Sequence, residues 1–400
     1  MKRYLIVGDG AAGASAVAEI RARDPEGSIT VLSSENFPHY YRPRLPDYIA
    51  GEVAPEKFSL RPPARLAALG VDLRLGETAV SIDPAKREAR TDKSDAIPYD
   101  ALLIAAGADA FLPPVPGNDR PGVFTLRSLA DADAIAAAAR SAKTRAAAVV
   151  GGGLLGLEAG RALLALGLRV VVVERADRLL PRQLDGEGAA VLRRALEGMG
   201  FSFRLGATAR EITGRGAVEA LTVGDGERLE CGLALFSAGA RPRLGLARSA
   251  GLEIGAAAKA DRNMRSSVPG IWAAGDVAEA DGRACGSWPV AAAQGKIAGA
   301  SMAGDPREYV HAEPPMGLKV AGVSMASAGD VDAENLGASK RLVYGETYRK
   351  IALDGDAIKG AIFLGSTVGA KECVAAMNSG RRLGPLAEEL DRPDFDFSRL

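Results

Sequence analysis

A glycine-rich hexapeptide occurs twice in this chain of 400 residues, each time between a short apolar run and a small-residue stretch of helical character. The first copy is Gly8-Asp9-Gly10-Ala11-Ala12-Gly13, and the second is Gly151-Gly152-Gly153-Leu154-Leu155-Gly156. Strand, glycine turn and helix in this order are typical of dinucleotide binding, because the turn brings the free N–H groups of the helix N-terminus to a pyrophosphate. Two copies predict an α/β fold with two Rossmann-like dinucleotide-binding domains.

Each glycine of the hexapeptide has its own physical role. The first allows a tight turn, the second lets phosphate approach the backbone, and the third lets the helix pack closely on the strand. We therefore expect nucleotide contacts at the loop positions Gly8, Gly10, Ala12 and Gly13 in the first copy, and Gly151, Gly153, Leu155 and Gly156 in the second.

A carboxylate closes the strand that follows each loop. Glu35 lies just beyond the predicted strand 28–32, and Glu174 closes the predicted strand 169–173. A carboxylate there accepts the hydroxyls of an adenosine ribose and disfavours a 2′-phosphate. Arg175 and Arg178 follow closely and could hold such a phosphate, so the pattern favours NADH over NADPH without deciding between them.

A second pair of similar segments lies downstream of the loops, at residues 99–108 and 232–240. Each segment is a predicted strand that ends in a turn of small residues. Small residues leave room for a ligand at the carboxyl end of a parallel strand. This predicts that Ala106, Gly107, Ala238 and Gly239 line the nucleotides, and the duplication indicates two related domains.

Composition excludes several classes of partner. The chain has 50 Lys+Arg and 50 Asp+Glu, a net charge of zero, and therefore offers no field for non-specific nucleic-acid binding. Residues 146–157, a charge-free stretch of 12 residues, are too short to cross a bilayer. Asp9 interrupts the apolar run at residues 4–7, which argues against a signal peptide. We expect a cytoplasmic protein without a membrane or nucleic-acid partner.

Cysteine and histidine are too sparse for a local metal or redox site. Cys231, Cys285 and Cys373 lie far apart, and His39 and His311 are the two histidines. No CxxC dithiol, zinc ribbon or iron–sulfur motif is present, so no metal site is expected. The odd cysteine count fits a reducing compartment. Redox chemistry in this chain must therefore come from a bound cofactor.

Residues 267–276, Ser-Val-Pro-Gly-Ile-Trp-Ala-Ala-Gly-Asp, complete a familiar set of motifs. Together with the two loops, they resemble the flavoproteins of the pyridine nucleotide–disulfide oxidoreductase superfamily, which share the glutathione-reductase-like fold. The resemblance covers residues 1–305 in motif order. It implies that the first domain holds FAD, that the second holds NAD(H), and that Gly275 and Asp276 contact FAD.

The region 39–52 narrows the resemblance. Disulfide reductases of the superfamily carry a cysteine pair here, and single-cysteine relatives place theirs near Arg44, whereas this region contains no cysteine. The Tyr-x-Arg-Pro-x-Leu stretch that begins at Tyr40 resembles NADH:rubredoxin reductases, oxygenase-type ferredoxin reductases and the flavin part of assimilatory nitrite reductases. Asp47 stands where many ferredoxin reductases have a lysine close to the flavin, which is a departure from their pattern.

The resemblance also implies roles for single residues. Glu158 corresponds to a residue near the nicotinamide, and Trp288 precedes a helix whose N-terminus points at the flavin pyrimidine; these two are the catalytic candidates. Such a helix terminus would stabilise an anionic reduced flavin. Arg42, Pro43 and Arg127 are implied near FAD. Structural interpretations stay open: a core aromatic for Trp288, and solvated charges for Glu158 and Arg42.

The expected protein is an FAD-dependent NADH:acceptor oxidoreductase. Hydride passes between NAD(H) and flavin N5, and single electrons pass to rubredoxin, ferredoxin or an iron–sulfur subunit, or in reverse toward NAD⁺. The alternatives are an oxygen-consuming NADH oxidase and a non-enzymatic NADH-sensing flavoprotein. A homodimer is left open as the oligomeric state. We expect an FAD domain at 1–112 and 233–308 and an inserted NAD(H) domain at 113–232. A small α+β C-terminal interface domain is expected at 309–384, with strands at 318–323 and 359–364. Residues 385–400 are expected to form a tail.

Overall fold

The computed structural model describes residues 1–60, 63–93, 96–311, 316–331, 338–344 and 347–400. The chain forms two compact units, each assembled from three separate stretches. The first comprises Met1–Arg44, Val53–Ala110 and Ala240–His311, and the second comprises Leu45–Glu52, Phe111–Gly239 and Ala312–Leu400.

Strands and helices are numbered along the whole chain. The first unit contains β1 Arg3–Val7, α1 Ala11–Arg23, β2 Ser28–Ser33, α3 Pro55–Phe58, α4 Pro63–Ala68, β3 Val71–Leu75, β4 Ala79–Asp83, β5 Glu88–Thr91, β6 Ala96–Pro98, β7 Ala101–Ile104, β8 Ala108–Ala110, β17 Ala240–Pro242, α8 Gly245–Ser249, β18 Ala258–Ala260, β19 Ile271–Ala273, β20 Ala278–Ala280, β21 Arg283–Ala284 and α9 Trp288–Met302.

The second unit contains α2 Leu45–Ala50, β9 Val123–Thr125, α5 Leu129–Ser141, β10 Ala146–Val150, α6 Leu154–Ala165, β11 Arg169–Glu174, α7 Gly186–Gly198, β12 Phe201–Leu205, β13 Ala209–Thr213, β14 Ala220–Val223, β15 Glu227–Glu230, β16 Leu233–Phe236, β22 Met316–Val320, β23 Val323–Gly329, β24 Ala338–Tyr344, β25 Thr347–Asp354, β26 Ala357–Leu364 and α10 Ala370–Ser379. Across the described residues of both units, no helix combines the length and the apolar character needed to span a membrane.

Each unit has a five-stranded parallel sheet with the same plan. The order is β19-β7-β1-β2-β3 in the first sheet and β9-β16-β10-β11-β12 in the second. In both, the strand before the glycine loop is central and pairs in parallel with the strand after the loop helix. A three-stranded antiparallel sheet accompanies each, β4-β5-β6 and β13-β14-β15. The expected fold class of two Rossmann-like domains is confirmed.

Strand β1 shows why an uninterrupted apolar run becomes a central strand. Tyr4 and Ile6 pack into the cluster that contains residues of α1 and α9. Leu5 and Val7 point to the opposite face, in the cluster that contains residues of the antiparallel sheet β4-β5-β6. Successive side chains alternate between faces, so a strand covered on both faces must be apolar at every position.

Helices α1 and α9 approach each other at the backbone. A Cβ atom at Gly295 would lie 2.1 Å from the carbonyl oxygen of Ala12, and one at Gly299 would lie 2.5 Å from that of Ala16. Glycines four residues apart lie on one face of a helix. Through this glycine face, α9 packs closely against α1, the helix that follows the first glycine loop. The N-termini of both helices thus belong to the first unit.

The boundary between the two units differs from the expected one. Strand β16 was expected to begin the second segment of the first domain, but it pairs with β10 in the second sheet. The units divide between Gly239 and Ala240, and Leu45–Glu52, expected within the first domain, belong to the second unit. The strand belongs to the second sheet because its hydrogen bonds to β10 and β9 complete it.

The C-terminal part is an antiparallel sheet, β22-β23-β26-β25-β24, with α10. The expected strand 359–364 is confirmed within β26. The expected strand 318–323 is interrupted by a turn at Ala321 and Gly322 that joins β22 to β23. The short turn leaves both strands free to pair antiparallel.

Residues 385–400 are not a loose tail. Phe395 and Phe397 are buried in the core cluster of the C-terminal domain. The buried guanidinium group of Arg349 donates to the carbonyl oxygens of Leu390 at 3.0 Å and Arg392 at 2.5 Å. The polar composition of the segment concealed these aromatic anchors, which pack it against the sheet.

Candidate dinucleotide sites

The outer glycines of both loops are required by backbone contact. Gly8 has φ +114°, and a Cβ atom there would lie 2.2 Å from the carbonyl oxygen of Ala105; one at Gly13 would lie 1.9 Å from that of Gly8. Gly151 and Gly156 repeat this geometry, since their Cβ atoms would lie 2.3 Å and 2.0 Å from backbone oxygens. Larger residues at these positions would force the strand, turn and helix apart.

The middle glycines face open space. Gly10 and Gly153 are the N-cap residues of α1 and α6, and a Cβ atom at either would meet nothing within 4 Å. Neither helix has an acidic residue in its first turn. An N-terminus with open space before it and no acidic residue in its first turn suits an anion such as a pyrophosphate. Both loops therefore fit a dinucleotide.

The turns that follow β7 and β16 lie against the glycine loops. A Cβ atom at Gly8 would first meet the carbonyl oxygen of Ala105, and one at Gly151 would first meet that of Ser237. Ala106 and Gly107 come next in the first unit, whereas Ala238 and Gly239 come next in the second and are exposed. In each unit the structure thus brings the predicted small-residue turn to the carboxyl edge of the sheet, beside the loop.

Glu35 lies in a polar cluster that the sequence only partly indicated. It accepts hydrogen bonds from the Tyr40 hydroxyl at 2.7 Å and from Arg42 at 2.5 Å. Arg42 begins a short 3-10 helix, Arg42–Arg44, that includes Pro43. The predicted ribose carboxylate and the predicted FAD arginine are therefore one ion pair, with Tyr40 as a partner that the motif search did not identify.

Trp288 is the first residue of α9 and is half-buried in an aromatic cluster. Its ring stacks on His39 at 5.4 Å and meets the edge of Tyr41 at 5.0 Å. The hydroxyl oxygen of the N-cap residue Ser287 is buried and has no hydrogen-bond partner in the described part of the chain. A buried hydroxyl without a partner at a helix N-terminus is the kind of group that a bound ligand satisfies.

Gly275 and Asp276 are placed by α9. The Gly275 N–H group donates to the side-chain oxygen of Gln294 at 2.9 Å, and Gln294 is 1% exposed. The Cys285 thiol donates to the carbonyl oxygen of Ser287 at 3.6 Å, and the nearby Asp276 carboxylate raises the pKa of that thiol. The sequence analysis did not identify Gln294, and a buried glutamine in an otherwise small-residue helix is the signal that could have revealed it.

The three thiols are poor nucleophiles. Burial raises the pKa of Cys231 to about 11, and that of Cys285 and of Cys373 to about 12; for Cys285 the nearby Asp276 carboxylate adds to the increase. Thiol chemistry requires the thiolate form. At neutral pH these cysteines are therefore thiols packed in the protein.

Glu174 lies beside the second glycine loop, as its motif position predicts. Its carboxylate accepts hydrogen bonds from the N–H groups of Gly152 at 2.7 Å and Ala176 at 2.8 Å. Arg178 donates to the carbonyl oxygen of Leu184 at 3.3 Å, whereas Arg175 is exposed. The carboxylate is thus held by backbone groups at the end of β11, close to the loop.

Glu158 is held by two neighbours in the second unit. One carboxylate oxygen accepts from the N–H group of Ala321 at 3.0 Å, and the other lies 3.4 Å from Nε of Arg161. Burial raises the pKa of Glu158, which the bonds from Ala321 and Arg161 partly oppose. Leu155, one turn earlier on α6, is 39% exposed although it is apolar. An apolar surface at this helix terminus, one turn before a largely desolvated carboxylate, suits a ligand.

Arg127 lies immediately before α5 in the second unit. Its N–H group donates to Asp131, whose carboxylate also belongs to the capping box of α5. The other residues that the resemblance implies near FAD, Arg42 and Pro43, belong to the first unit. The described contacts of Arg127 therefore support a capping role and leave its cofactor role as a prediction.

Two glycine-loop sheets in one chain define a protein that binds two dinucleotides. A family model described as pyridine nucleotide-disulphide oxidoreductase matches residues 2–295, and one described as rubredoxin NAD⁺ reductase C-terminal domain matches residues 314–381. The chain belongs to the pyridine nucleotide-disulphide oxidoreductase family.

Individual relatives agree with this assignment. The chain is 35% identical over 373 residues to the NAD(P)H nitrite reductase of Bacillus subtilis (strain 168), which covers 92% of this chain and 46% of that protein. It is 34% identical over 285 residues to the ferredoxin–NAD⁺ reductase component of the biphenyl dioxygenase system of Paraburkholderia xenovorans (strain LB400), covering 71% and 67%. The solved NADH:rubredoxin oxidoreductase of Clostridium acetobutylicum has a TM-score of 0.81 at 26% identity, covering 96% and 97%.

The comparisons confirm the expected resemblance and cofactors. The family uses FAD and NAD(P)H, so both the class of FAD-dependent NAD(P)H oxidoreductase and the cofactor pair FAD and NAD(H) stand. The chain spans about half the length of the nitrite reductases it resembles, 46% and 42% in two of them.

Proposed function

We propose that the protein is an FAD-dependent NADH:acceptor oxidoreductase that delivers single electrons to a small carrier protein of the ferredoxin or rubredoxin kind. The observation that carries this proposal is the pairing of two open dinucleotide loops with three thiols, two buried and one half-buried, whose raised pKa keeps them protonated. Bound FAD supplies the conversion of a two-electron hydride into single electrons. The relatives named as a ferredoxin reductase and a rubredoxin oxidoreductase support this kind of partner.

In the first unit, we infer that α1 and α9 direct their N-termini at FAD. Gly10 leaves room for the pyrophosphate, and the Glu35 carboxylate, oriented by Tyr40 and Arg42, accepts the ribose hydroxyls. The Ser287 hydroxyl, which lacks a protein partner among the described residues, supports a ligand at the N-terminus of α9.

In the same unit, we infer that Trp288 and the N-terminus of α9 act on the flavin. The Trp288 ring, packed on His39 and Tyr41, gives α9 a rigid first turn. A fixed helix N-terminus favours the negative charge that a reduced flavin carries. Gly275, which is positioned through Gln294, and Asp276 remain the predicted contacts to the ribitol or pyrophosphate.

In the second unit, we infer that α6 binds NADH. Gly153 leaves room for the pyrophosphate, Leu155 offers an apolar surface, and Glu158 lies one turn further along the helix with a desolvated carboxylate. A carboxylate can accept a hydrogen bond from the amide group of nicotinamide and so orient the ring.

The proposed location is the cytoplasm, which three cysteines without disulfide bonds support.

Anaerobic stopped-flow mixing of the FAD-loaded protein with NADH tests the proposal. Rapid loss of flavin absorbance, followed by its return when oxidised rubredoxin or ferredoxin is added, is the expected result. Return only on exposure to air would identify an NADH oxidase instead. Slow reduction by NADH and NADPH alike would contradict the proposal and favour a flavoprotein that senses NADH.

The charge of Glu174 is expected to set the preference for NADH. In Glu174→Gln an acceptor oxygen remains but the charge is lost, so a 2′-phosphate is no longer repelled. We expect the ratio of kcat/KM for NADH to that for NADPH to fall about tenfold, which corresponds to ~1.4 kcal/mol. Steady-state kinetics with both nucleotides measure this ratio.

Asp177→Asn is the matched control for Glu174→Gln. Asp177 is three residues further along the same loop, and its side chain is 85% exposed. The control should leave the ratio unchanged. An equal fall in both variants would assign the preference to general surface charge, and no fall in either would show that Glu174 does not face the 2′-position.

A further inference from the structure

Arg161 connects three carboxylates in the second unit. It lies on α6, one turn after Glu158, and its Nε atom is 3.4 Å from the Glu158 carboxylate. Its Nη1 atom is 2.6 Å from Glu52, and its Nη2 atom is 2.9 Å from Asp47 on α2. Nη2 also donates to the other Glu52 oxygen at 3.3 Å, so every nitrogen of the guanidinium group is engaged and Glu52 is bound by two of them.

The arrangement depends on the shape of arginine. A guanidinium group presents five N–H donors in a rigid plane, so it can bind three acceptors in fixed directions, whereas a lysine ammonium group is a point charge. The Arg161 side chain is only 22% exposed, which reduces screening by water. Asp47 and Glu158 are also largely shielded, at 28% and 22% exposed, so their pairs with Arg161 differ from the exposed ion pairs that contribute little to stability, whereas Glu52 is 48% exposed.

Glu158 is held from two sides as a result. Its other carboxylate oxygen accepts from the N–H group of Ala321 in the turn between β22 and β23. With a donor on each oxygen, the carboxylate has one preferred orientation. Of these two donors to Glu158, Arg161 donates from its side chain and Ala321 from its backbone.

Helix α2 cannot supply the cation that faces Glu158. It presents Asp47, whose charge acts on Glu158 unfavourably. Removing Arg161 would leave the carboxylates of Asp47, Glu52 and Glu158 close together without the cation that joins them, and like charges at short range disfavour a fixed ionised arrangement. The position and charge of Glu158 therefore depend on Arg161.

We propose that Arg161 is a positioning residue of the nicotinamide site, which holds the Glu158 carboxylate in the orientation that receives the amide of nicotinamide. The proposal rests on the proposed NADH-binding role of α6. In this arrangement the cation that faces Glu158 comes from α6, the helix of the second glycine loop, and not from α2.

The experiment compares Arg161→Met, Arg161→Lys and the double variant Arg161→Met/Asp47→Lys, all loaded with FAD. NADH and NAD⁺ affinities are measured by calorimetry, and flavin reduction by anaerobic stopped-flow. We expect Arg161→Met to weaken NADH binding and to slow reduction, each about tenfold. Arg161→Lys should show an intermediate loss, because it keeps the charge but loses the fork.

The double variant distinguishes positioning from general stability. A lysine at position 47 returns a cation to Glu158 from the other helix, so it should recover a large part of both losses. Arg193→Met, which removes an exposed cation paired with Glu197 at 2.7 Å on α7, is the control and should change neither quantity.

Two results would overturn the inference. One is a lowered unfolding temperature in Arg161→Met with unchanged NADH affinity and reduction rate. The other is a double variant that recovers stability but neither binding nor reduction. If Arg161→Met does not fold, the Arg161→Lys variant tests the inference. Wild-type NADH affinity and reduction rate in Arg161→Lys would contradict the need for the guanidinium geometry. Failure of the proposed function is separate, because then wild-type protein itself is not reduced by NADH.

Discussion

Replacing Gly153 with valine is expected to abolish NADH binding while the protein remains folded and retains FAD. The backbone at Gly153 has φ −79° and ψ 175°, an extended conformation open to any residue, and a Cβ atom there meets nothing within 4 Å. The new side chain therefore costs the folded protein little, but it fills the space before α6 that a pyrophosphate needs. Affinity for NADH should fall at least about 100-fold, or ~2.7 kcal/mol.

Calorimetry with NADH and thermal unfolding of the yellow protein measure the two halves of this prediction. Gly10→Val should give the complementary result in the first unit, a colourless folded protein that cannot take up FAD. Gly198→Ala is the matched control, because it adds a methyl group to a helical glycine that also meets nothing within 4 Å. Wild-type NADH affinity in Gly153→Val would place the nucleotide elsewhere.

The same reasoning separates the middle glycines from the outer ones. At Gly13 and Gly156 a Cβ atom would lie 1.9 Å and 2.0 Å from backbone oxygens of the preceding turns. Substitutions at those positions disturb the fold before any ligand arrives. Loss of binding without loss of folding is therefore a property of Gly10 and Gly153, which makes those variants the informative ones.

Replacing Lys350 with methionine is expected to lower the free energy of unfolding by about 3–5 kcal/mol. Lys350 is 2% exposed and donates to Asp185 at 2.9 Å and to the carbonyl oxygen of Val331 at 2.8 Å. Asp185 is the N-cap of α7 and also accepts from the Tyr348 hydroxyl at 2.6 Å. Without the lysine, a buried carboxylate loses the cation that compensates it.

Urea denaturation of the variant and of Lys350→Met/Asp185→Asn measures this cost. The double variant should recover most of the stability, because asparagine keeps an N-cap acceptor but carries no charge. A double variant as unstable as the single one would assign the loss to the lysine's packing and its bond to Val331. It would thereby contradict the argument from the unpaired charge.

Acid should narrow the difference between wild type and Lys350→Met. Burial opposes ionisation, but the hydrogen bonds from Tyr348, Lys350 and Gly188 hold the pKa of Asp185 below its usual value. A lowered carboxyl pKa stabilises the protein above the unfolded pKa of about 4, and this contribution is lost as pH falls through the folded pKa. The wild-type advantage is therefore expected to be full at neutral pH and to decrease below about pH 4.

The glycine loops show what could be predicted from sequence. Their strand, turn and helix are contiguous in the chain, so the requirement for glycine at each position is a local property that one sequence displays. Glu35 and Glu174 were found for the same reason, since each lies at or just beyond the end of the strand that follows its loop helix. The terminal segment was misjudged because polar residues around Phe395 and Phe397 hid its two buried aromatic rings.

The sequence by itself determined the two-domain α/β plan, the cofactor class and the positions of the loops, because these depend on neighbours in the chain. Only the tertiary structure decided which charges meet. Arg161 and Asp47 are separated by 114 residues, and Lys350 and Asp185 by 165. No local pattern links such residues. They become partners when packing of the apolar faces removes both from water. In the protein interior, an unpaired charge is costly.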